Sequence, residues 1–416
     1  MKKNKFHNIE LLSPVGSYEA LTAAIQAKAD SIYFGVEQLN MRASGCNFSI
    51  EDLPKISKIC YDNNLKSYLT LNTVIFDNDI SSMKRIIDKA AKNKINAIVA
   101  NDQAVLNYTK QKKIETHIST QSNVSNIEAV KFYSHYADVI VLARELTLQQ
   151  VEKIVKEIKR KKITGPSGKL IRIEVFAHGA LCMAVSGKCY MSLHSYNASA
   201  NRGICIQNCR RSYTVIDKQD GIELKVDNEY IMSAKDLCTI DFIDKILITG
   251  ISILKIEGRN RPADYVYTVT KCYREAIDAF QSGTYAKKKI MNWKKQLTTV
   301  MNRGQWEGYY LGKKMGEWCN QYGSQATKQK IYIGKVINYF QKAQAGEFKI
   351  ESDWLCIGDE ILIMGPTTGV IQSIVKELRI ENISTNKVAK GTIVTIPFEK
   401  KIRPSDKLYK IIKKRN

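Results

Sequence analysis

"IELLSPVGSYEALTAAIQAKADSIYFG", residues 9 to 35, sets two short apolar runs on either side of a stretch with helical periodicity. The first run, IELLSP, and the last, DSIYFG, read as strands. Between them Leu21, Ala24 and Ile25 recur at the three- and four-residue spacing of one helix face. The runs are apolar throughout rather than alternating, which is the pattern of a parallel sheet covered on both sides. The alternation then repeats: "IEDLPKISKICYDN" before "KSYLTLNTV", "ISSMKRIIDKAAKN" before "AIVAND", and onward through "DVIVLARE", "IRIEVFAHG", "FIDKILITG" and "SILKIEGR". About eight such units within the first 280 or so residues predict a closed α/β barrel of the (β/α)8, TIM-like type. No GxGxxG follows the first strand, which disfavours an open dinucleotide-binding sheet.

The helical stretch "ADYVYTVTKCYREAIDAF" ends the repeating pattern. From Ala326 short alternating runs with Gly turns take over, such as "KIYIGKVINYF" and "GTIVTIPF", and predict a small all-β barrel. The expected organisation is a barrel domain over 1–285, a connector over 286–325 and a C-terminal β-barrel domain over 326–416. Hydrophobic residues at 44% and charged residues at 25% exclude wholesale disorder. No run of 18 apolar residues suggests a membrane span. The opening "MKKNKFHNIELLSP" lacks the apolar core of a leader, so a cytoplasmic location with reduced thiols is expected. Lys and Arg total 64 against 41 acidic residues, a net charge of +23, which favours a polyanionic partner, nucleic acid first. The excess is spread along the chain, with dense runs at 156–162, 287–289 and 407–416.

Polar residues gather where the predicted strands end: Ser13, Asn72, Asp102, Thr120, Gln121, Arg144, His178, Lys255, Glu257 and Arg259 among them. In a barrel those ends form one rim, where active sites are built. Arg144, Lys255 and Arg259 are candidates to bind a small anionic substrate such as a dicarboxylate, with Asn40 and Arg42 as weaker ones. The alternative for each cation is a structural ion pair with Glu145, Glu257 or Asp236.

The densest chemistry lies in "EVFAHGALCMAVSGKCYMSLHSYNASANRGICIQNCRR", residues 174 to 211. Its cysteines follow C-x6-C-x15-C-x3-C: Cys182, Cys189, Cys205 and Cys209, with Cys238 downstream in "SAKDLC". Structural zinc usually takes ligands from two tight pairs, and only Cys205 and Cys209 approach that spacing. An iron–sulfur cluster is wider than one ion and accepts thiolates from separated loops, so it suits the pattern better. Lys188, Arg202, Arg210 and Arg211 are placed to offset the negative charge of such a site. A Cys–His peptidase pair made of His178 and Cys182 is the competing reading. No G-x-S-x-G or H-E-x-x-H motif accompanies it.

The stretch 174–192 resembles the signature of the collagenase-like peptidases, peptidase family U32. "ELLSPVGSYEALTAAIQAKADSIYFG", "NRGICIQNCRR" and "MSAKDLC…SILKIEGRNR" extend the resemblance over most of residues 9 to 275. The tail resembles that family's C-terminal β-barrel domain. The resemblance implies a barrel with a cysteine-bound four-iron, four-sulfur cluster that hydroxylates transfer RNA, ribosomal RNA or ubiquinone. Length and tail are most similar to the transfer-RNA branch, which implies 5-hydroxyuridine formation at the wobble position of the anticodon. Prephenate is the implied oxygen source. By motif, Cys182, Cys189 and Cys205 match the cluster ligands. The fourth is Cys209 or Cys238, with Cys238 slightly preferred.

Overall fold

The computed structural model describes residues 9–216, 218–221, 223–224, 230–312 and 316–414. The first eight residues of the chain and the last two of the basic run at 407–416 lie outside them. Seven parallel strands follow one another around a ring: β1 (Glu10–Pro14), β2 (Ser31–Phe34), β3 (Lys66–Leu71), β4 (Ala97–Ala100), β5 (Glu115–Ile118), β6 (Val139–Val141) and β7 (Arg172–Gly179). The chain then forms a two-residue hairpin, β8 (Val215–Ile216) with β9 (Glu223–Leu224). Next comes β10 (Asp236–Cys238), antiparallel to the end of β7. The eighth barrel strand, β11 (Ile253–Ile256), pairs in parallel with both β7 and β1 and closes the ring. The (β/α)8 barrel expected from the periodicity is therefore the fold observed.

Helices α1 (Tyr18–Gln26), α2 (Leu53–Asp62), α3 (Ile80–Lys92), α4 (Gln103–Gln111), α5 (Ile127–Ser134) and α6 (Leu148–Lys161) return the chain outside the strands. Several start on side-chain caps. Ser17, Asp102, Asn126 and Thr147 each accept a hydrogen bond from an amide of the first turn. Asp102, one of the polar strand-end residues, is thus occupied with capping. After α7 (Met191–Tyr196), the run "FIDKILITG" forms α8 (Ile243–Ile248), and α9 (Ala263–Gln281) packs on β1 and α1.

Strand side chains alternate strictly. Leu11, Phe34, Leu69, Ile98 and Leu254 face the helices in the large core, while Leu12, Tyr33, Tyr68, Val99, Val139 and Ile253 meet inside the ring. The ring interior also holds charge. Lys255 Nζ donates to Glu174 Oε1 at 2.7 Å with both side chains almost fully buried. Glu174 in turn faces His117, whose Nδ1 is 3.7 Å from Glu174 Oε2 and whose Nε2 is 2.9 Å from Glu115 Oε1. Burial disfavours the imidazolium of His117, but the two carboxylates outweigh it and raise the pKa. Burial likewise opposes ionisation of Glu174, and Lys255 with His117 overcomes it, holding the carboxyl down at about 2.

The segment read as a connector is built onto the barrel. Helix α10 (Lys287–Leu297) buries Trp293 and Leu297 against α9, and β12 (Gln305–Trp306) pairs with β10. Tyr310 Oη donates to the Phe176 carbonyl at 2.7 Å. The tail forms an antiparallel eight-stranded sheet from β13 (Lys328–Phe340), β14 (Ala345–Ile350), β16 (Glu360–Gly365), β17 (Gly369–Ile374), β18 (Leu378–Ile380), β19 (Ile383–Thr385), β21 (Ile393–Pro397) and β22 (Lys407–Lys413). A separate pair, β15 (Trp354–Cys356) with β20 (Lys387–Ala389), completes it. It has its own core around Ile333, Phe348, Ile361 and Val394. Leu362, Met364 and Val370 belong instead to the barrel's core, where β17 meets α1 and α9. Gln26 secures that contact, donating to the Thr368 carbonyl at 2.8 Å and accepting from the Val370 amide at 2.9 Å.

Glu174→Gln strands Lys255 and His117 without their shared counter-charge. The expected loss is about 3–5 kcal/mol in equilibrium urea unfolding, as for one partner removed from a buried pair. The stability that Glu174 contributes to the wild type is complete above its ordinary pKa of 4.5 and fades as pH falls toward about 2. A denaturation series in acid should show that component absent from the variant.

Candidate functional site

At the C-terminal end of β7 the chain does not turn directly into a helix. More than 50 residues separate β7 from β10, and the part over 180–211 lies across the mouth of the barrel. This insertion is fastened to the loops after β2, β3 and β5. Arg202 pairs with Asp79 at 2.5 Å and donates to the Val74 carbonyl, whose own amide bonds the Asn201 carbonyl. Asn123 donates to the Ser186 carbonyl at 3.0 Å. Gly203, at φ +90°, packs so closely on the Asn40 carbonyl that a Cβ there would sit 2.3 Å from the oxygen. Arg210 donates to the carbonyls of Leu181 and Ala234. Two of the four cations expected to balance a metal site, Arg202 and Arg210, are therefore engaged in holding the insertion down. Only Arg210 of the four also lines the cavity beneath it.

That cavity, about 170 Å³, is lined by Cys182, Cys189, Cys205 and Cys209. Burial raises the pKa of Cys209; Arg210 lowers it, and the other three thiols are near enough to raise it further. Cys238 lies elsewhere. It is buried on β10, its thiol 4.0 Å from Tyr273 Oη, and burial pushes its pKa up to about 11. Of the two candidates for a fourth ligand, Cys209 lines the cavity with the other three thiols and Cys238 does not. Among the described residues no three of His, Cys, Asp or Glu converge on a single-ion position. Four thiols around one cavity are the donor type that both zinc and iron–sulfur clusters take. Gly187 lines the same cavity and carries no side chain to crowd it.

A smaller cavity of about 70 Å³ lies deeper in the mouth, lined by Tyr33, Thr70, Asn72, Gln121, Lys255 and Arg259 among others. Met41, Arg42, Thr120, Gln121, Phe176 and Glu257 line both cavities, so the two share a wall. Arg259 is 6% exposed and is held by neutral oxygens only, Asn40 Oδ1 at 3.0 Å and Thr70 Oγ1 at 2.6 Å. Gly35 makes room for it, since a Cβ there would lie 2.5 Å from the guanidinium. Burial lowers the Arg259 pKa to about 10. Arg144 donates from Nη1 to the Ala180 carbonyl and lies over the Phe176 ring at 4.2 Å, while its buried Nε and Nη2 have no partner. Burial lowers its pKa too. Arg42 is paired with Glu257 at 3.4 Å, and Glu257 also accepts from the Ala180 amide. Of the three rim cations, none makes the ion pairs anticipated with Glu145, Glu257 or Asp236. Lys255 is neutralised by Glu174, and Arg144 and Arg259 keep their charge unpaired.

His178 does not belong to either cavity. Along β7, Glu174 and Phe176 point into the ring, and strict alternation would send His178 after them. A β-bulge intervenes: Phe176 pairs with Lys255 and His178 with Ile256, so two β7 residues span one step of β11. The imidazole is turned onto Tyr265 and Tyr273 of α9, 1% exposed, with burial lowering its pKa to about 3. Its expected place among the catalytic groups is corrected accordingly, and with it the His178–Cys182 pair. Sequence reading missed Glu174, His117, Tyr33 and Thr70. A signal for Glu174 was present as an acidic residue between the apolar Ile173 and Val175 in "IRIEVF".

A TIM-type barrel with four thiols and two unpaired guanidinium groups over its C-terminal rim is an enzyme scaffold, with soft donors where barrels do chemistry. Residues 16–320 match the model of peptidase family U32, and the chain belongs to that family. It is 57% identical to a collagenase of Porphyromonas gingivalis, over 98% of this chain and 99% of the relative. It is 28% identical to a tRNA hydroxylation protein of Bacillus subtilis, over 96% and 94% of the two chains. A 23S rRNA 5-hydroxycytidine synthase of Escherichia coli is 33% identical over 66% of this chain and 40% of its own length. Among the described residues no helix is long and apolar enough to cross a membrane.

Gly203→Ala forces the insertion off the Asn40 loop. The expected result is a loss of about 1–3 kcal/mol, the range for a strained left-handed position, measured by thermal unfolding. Limited proteolysis should cut first within residues 180–212.

Proposed function

We propose that this protein is an RNA hydroxylase that forms 5-hydroxyuridine at the wobble uridine of tRNA without molecular oxygen. The proposal includes a 4Fe-4S cluster on Cys182, Cys189, Cys205 and Cys209, prephenate as hydroxyl donor, the anticodon region as macromolecular substrate and a cytoplasmic location. The observation that carries it is the wall shared by the thiol cavity and the cationic cavity. A redox cofactor in the first would lie directly against a small anion in the second. Hydroxylating a uracil carbon needs redox competence that side chains lack, and that is the chemistry the cluster supplies when bound.

The chain's own groups then have distinct tasks. Arg259, pre-set by Asn40 and Thr70, offers a desolvated guanidinium to one carboxylate of the co-substrate. Arg144, with two donors free, is positioned for a second anionic group at the boundary of the two cavities. Lys255 orients through hydrogen bonding rather than net charge, because Glu174 balances it. Phe176 and Tyr33 form apolar walls that keep water from these contacts. The names of the tRNA and rRNA relatives support RNA as the substrate class, and rRNA remains the alternative substrate.

A U32-type peptidase is the second reading, favoured by the collagenase name of the 57%-identical relative. The buried, outward-turned His178 speaks against the one Cys–His pair the sequence offers.

Protein purified without air should be brown, with about four irons per chain. Cys209→Ser should lose most of the iron and Cys238→Ser should keep it. Cells lacking the gene should lose 5-hydroxyuridine derivatives from tRNA, read by nucleoside mass spectrometry, and regain them with the wild type but not with Arg259→Gln. Retention of the modification in a strain with no other source, together with gelatin cleavage by the pure protein, would replace the hydroxylase reading by the peptidase one.

A further inference from the structure

The outer surface of the cysteine insertion is unusually apolar for something so exposed. Seven of the 23 exposed large apolar side chains among the described residues fall between Met183 and Ile206. Single exposed apolar residues need no explanation, but a concentration of them marks a contact surface. Tyr190 and Tyr196 are 76% and 50% exposed. With Leu193 between them at three-residue steps, they follow one face of the short helix α7.

The segment itself carries charge of one sign. From Val175 to Ile216 the sequence has no Asp or Glu, and it carries Lys188, Arg202, Arg210 and Arg211. Lys188 and Arg211 are exposed and were left without a task by the thiol cavity. The Arg211 guanidinium lies 5.2 Å from the Tyr196 ring centre and donates to the Tyr196 hydroxyl rather than to a carboxylate. At the neighbouring edge Arg202 covers exposed Phe76 at 4.1 Å. Aromatic faces interleaved with guanidinium groups, in an acid-free segment, match what unpaired nucleotides require: flat surfaces for the bases and cations for the phosphates. A membrane-inserting face would not need arginines set beside its aromatic rings. An apolar protein partner would leave the exposed Lys188 and Arg211 unmatched.

We infer that this face is a stacking platform for unpaired nucleotides, seating the bases that flank the one entering the site below. The inference rests on the RNA reading above and specifies the form of RNA taken: a single-stranded loop, with Tyr190, Tyr196 and Arg211 as its principal contacts and duplex excluded from the platform itself. These residues bind the substrate and none of them lines the thiol cavity.

The test uses the full chain, anaerobically purified, and two labelled RNAs: a hairpin with an unpaired loop, and the same stem as a blunt duplex. The wild type should bind the hairpin more tightly. The double change Tyr190→Ala with Tyr196→Ala should weaken hairpin binding about ten-fold or more, as expected for lost base stacking, and leave duplex binding, iron content and melting temperature in place. Phenylalanine at both positions should restore affinity. Arg211→Gln should lower the slope of log affinity against log salt by about 1. Hairpin binding that ignores the tyrosine changes overturns the platform while leaving the RNA reading intact. A wild type that binds neither RNA overturns both. Tyrosine-dependent self-association, or Tyr-dependent binding to anionic vesicles in place of RNA, assigns the face to a second copy or a lipid surface and likewise overturns the inference.

Discussion

Positive charge buried faster than it is neutralised governs the mouth of this barrel. Lys255 is matched by Glu174 and Arg42 by Glu257, but Arg259 is surrounded by an amide oxygen, a hydroxyl and aromatic rings, and Arg144 keeps two donors idle. Removing a guanidinium from water without a partner is costly, and the depressed pKa values of both arginines record that cost. Such an arrangement is tolerable when the missing counter-ion arrives as a ligand. The donors are already oriented, so an anion entering the site gains their full interaction without first reorganising them.

The charge column inside the ring makes this possible. Tyr68 and Lys66 hold Glu10 near the opposite end, Arg172 holds Glu115, and His117 links Glu115 to Glu174. Positive and negative groups alternate along the column, so it carries little net charge of its own, although His117 Nδ1 and Glu174 Oε2 face each other at 3.7 Å without a hydrogen bond. It brings Lys255 to the floor of the cavity already neutral, and leaves Arg144 and Arg259 as the groups that discriminate by charge. The insertion above obeys the same economy. Arg202 and Arg210 bind carbonyls and Asp79, which fixes the thiols in place, while the outward cations remain free for contacts elsewhere.

The barrel was legible from residues 9–35 because buried parallel strands announce themselves by continuous apolar runs and their helices by spacing. The interior was not, because a strand buried on both faces hides which side points inward. Glu174 and His117 stand in different strands, β7 and β5, and only closure of the ring shows that they meet. The thiols around the cavity were legible as a density of cysteines, but which downstream cysteine sits beside them was not. Cys209 and Cys238 both follow the same signature, and only the fold puts Cys209 at the cavity and Cys238 on β10 beside Tyr273. His178 failed for a different reason: one extra residue in β7 reverses a side chain, and no composition or motif records a bulge. The stretch 286–325 looked like a linker because its lysines dominate, although Trp293, Trp306 and Tyr310 anchor it.

The carboxamide of Gln26, at the end of α1, meets the β16–β17 turn as another peptide group would, one donor and one acceptor engaged side by side. This seam joins the tail to α1 and α9, the helices that pack on β1. The tail is therefore not an accessory that evolution could shed or exchange freely. A lineage that trimmed it would have to recolour the apolar faces of α1 and α9 with polar side chains at the same time, or inherit a barrel that clings to its neighbours.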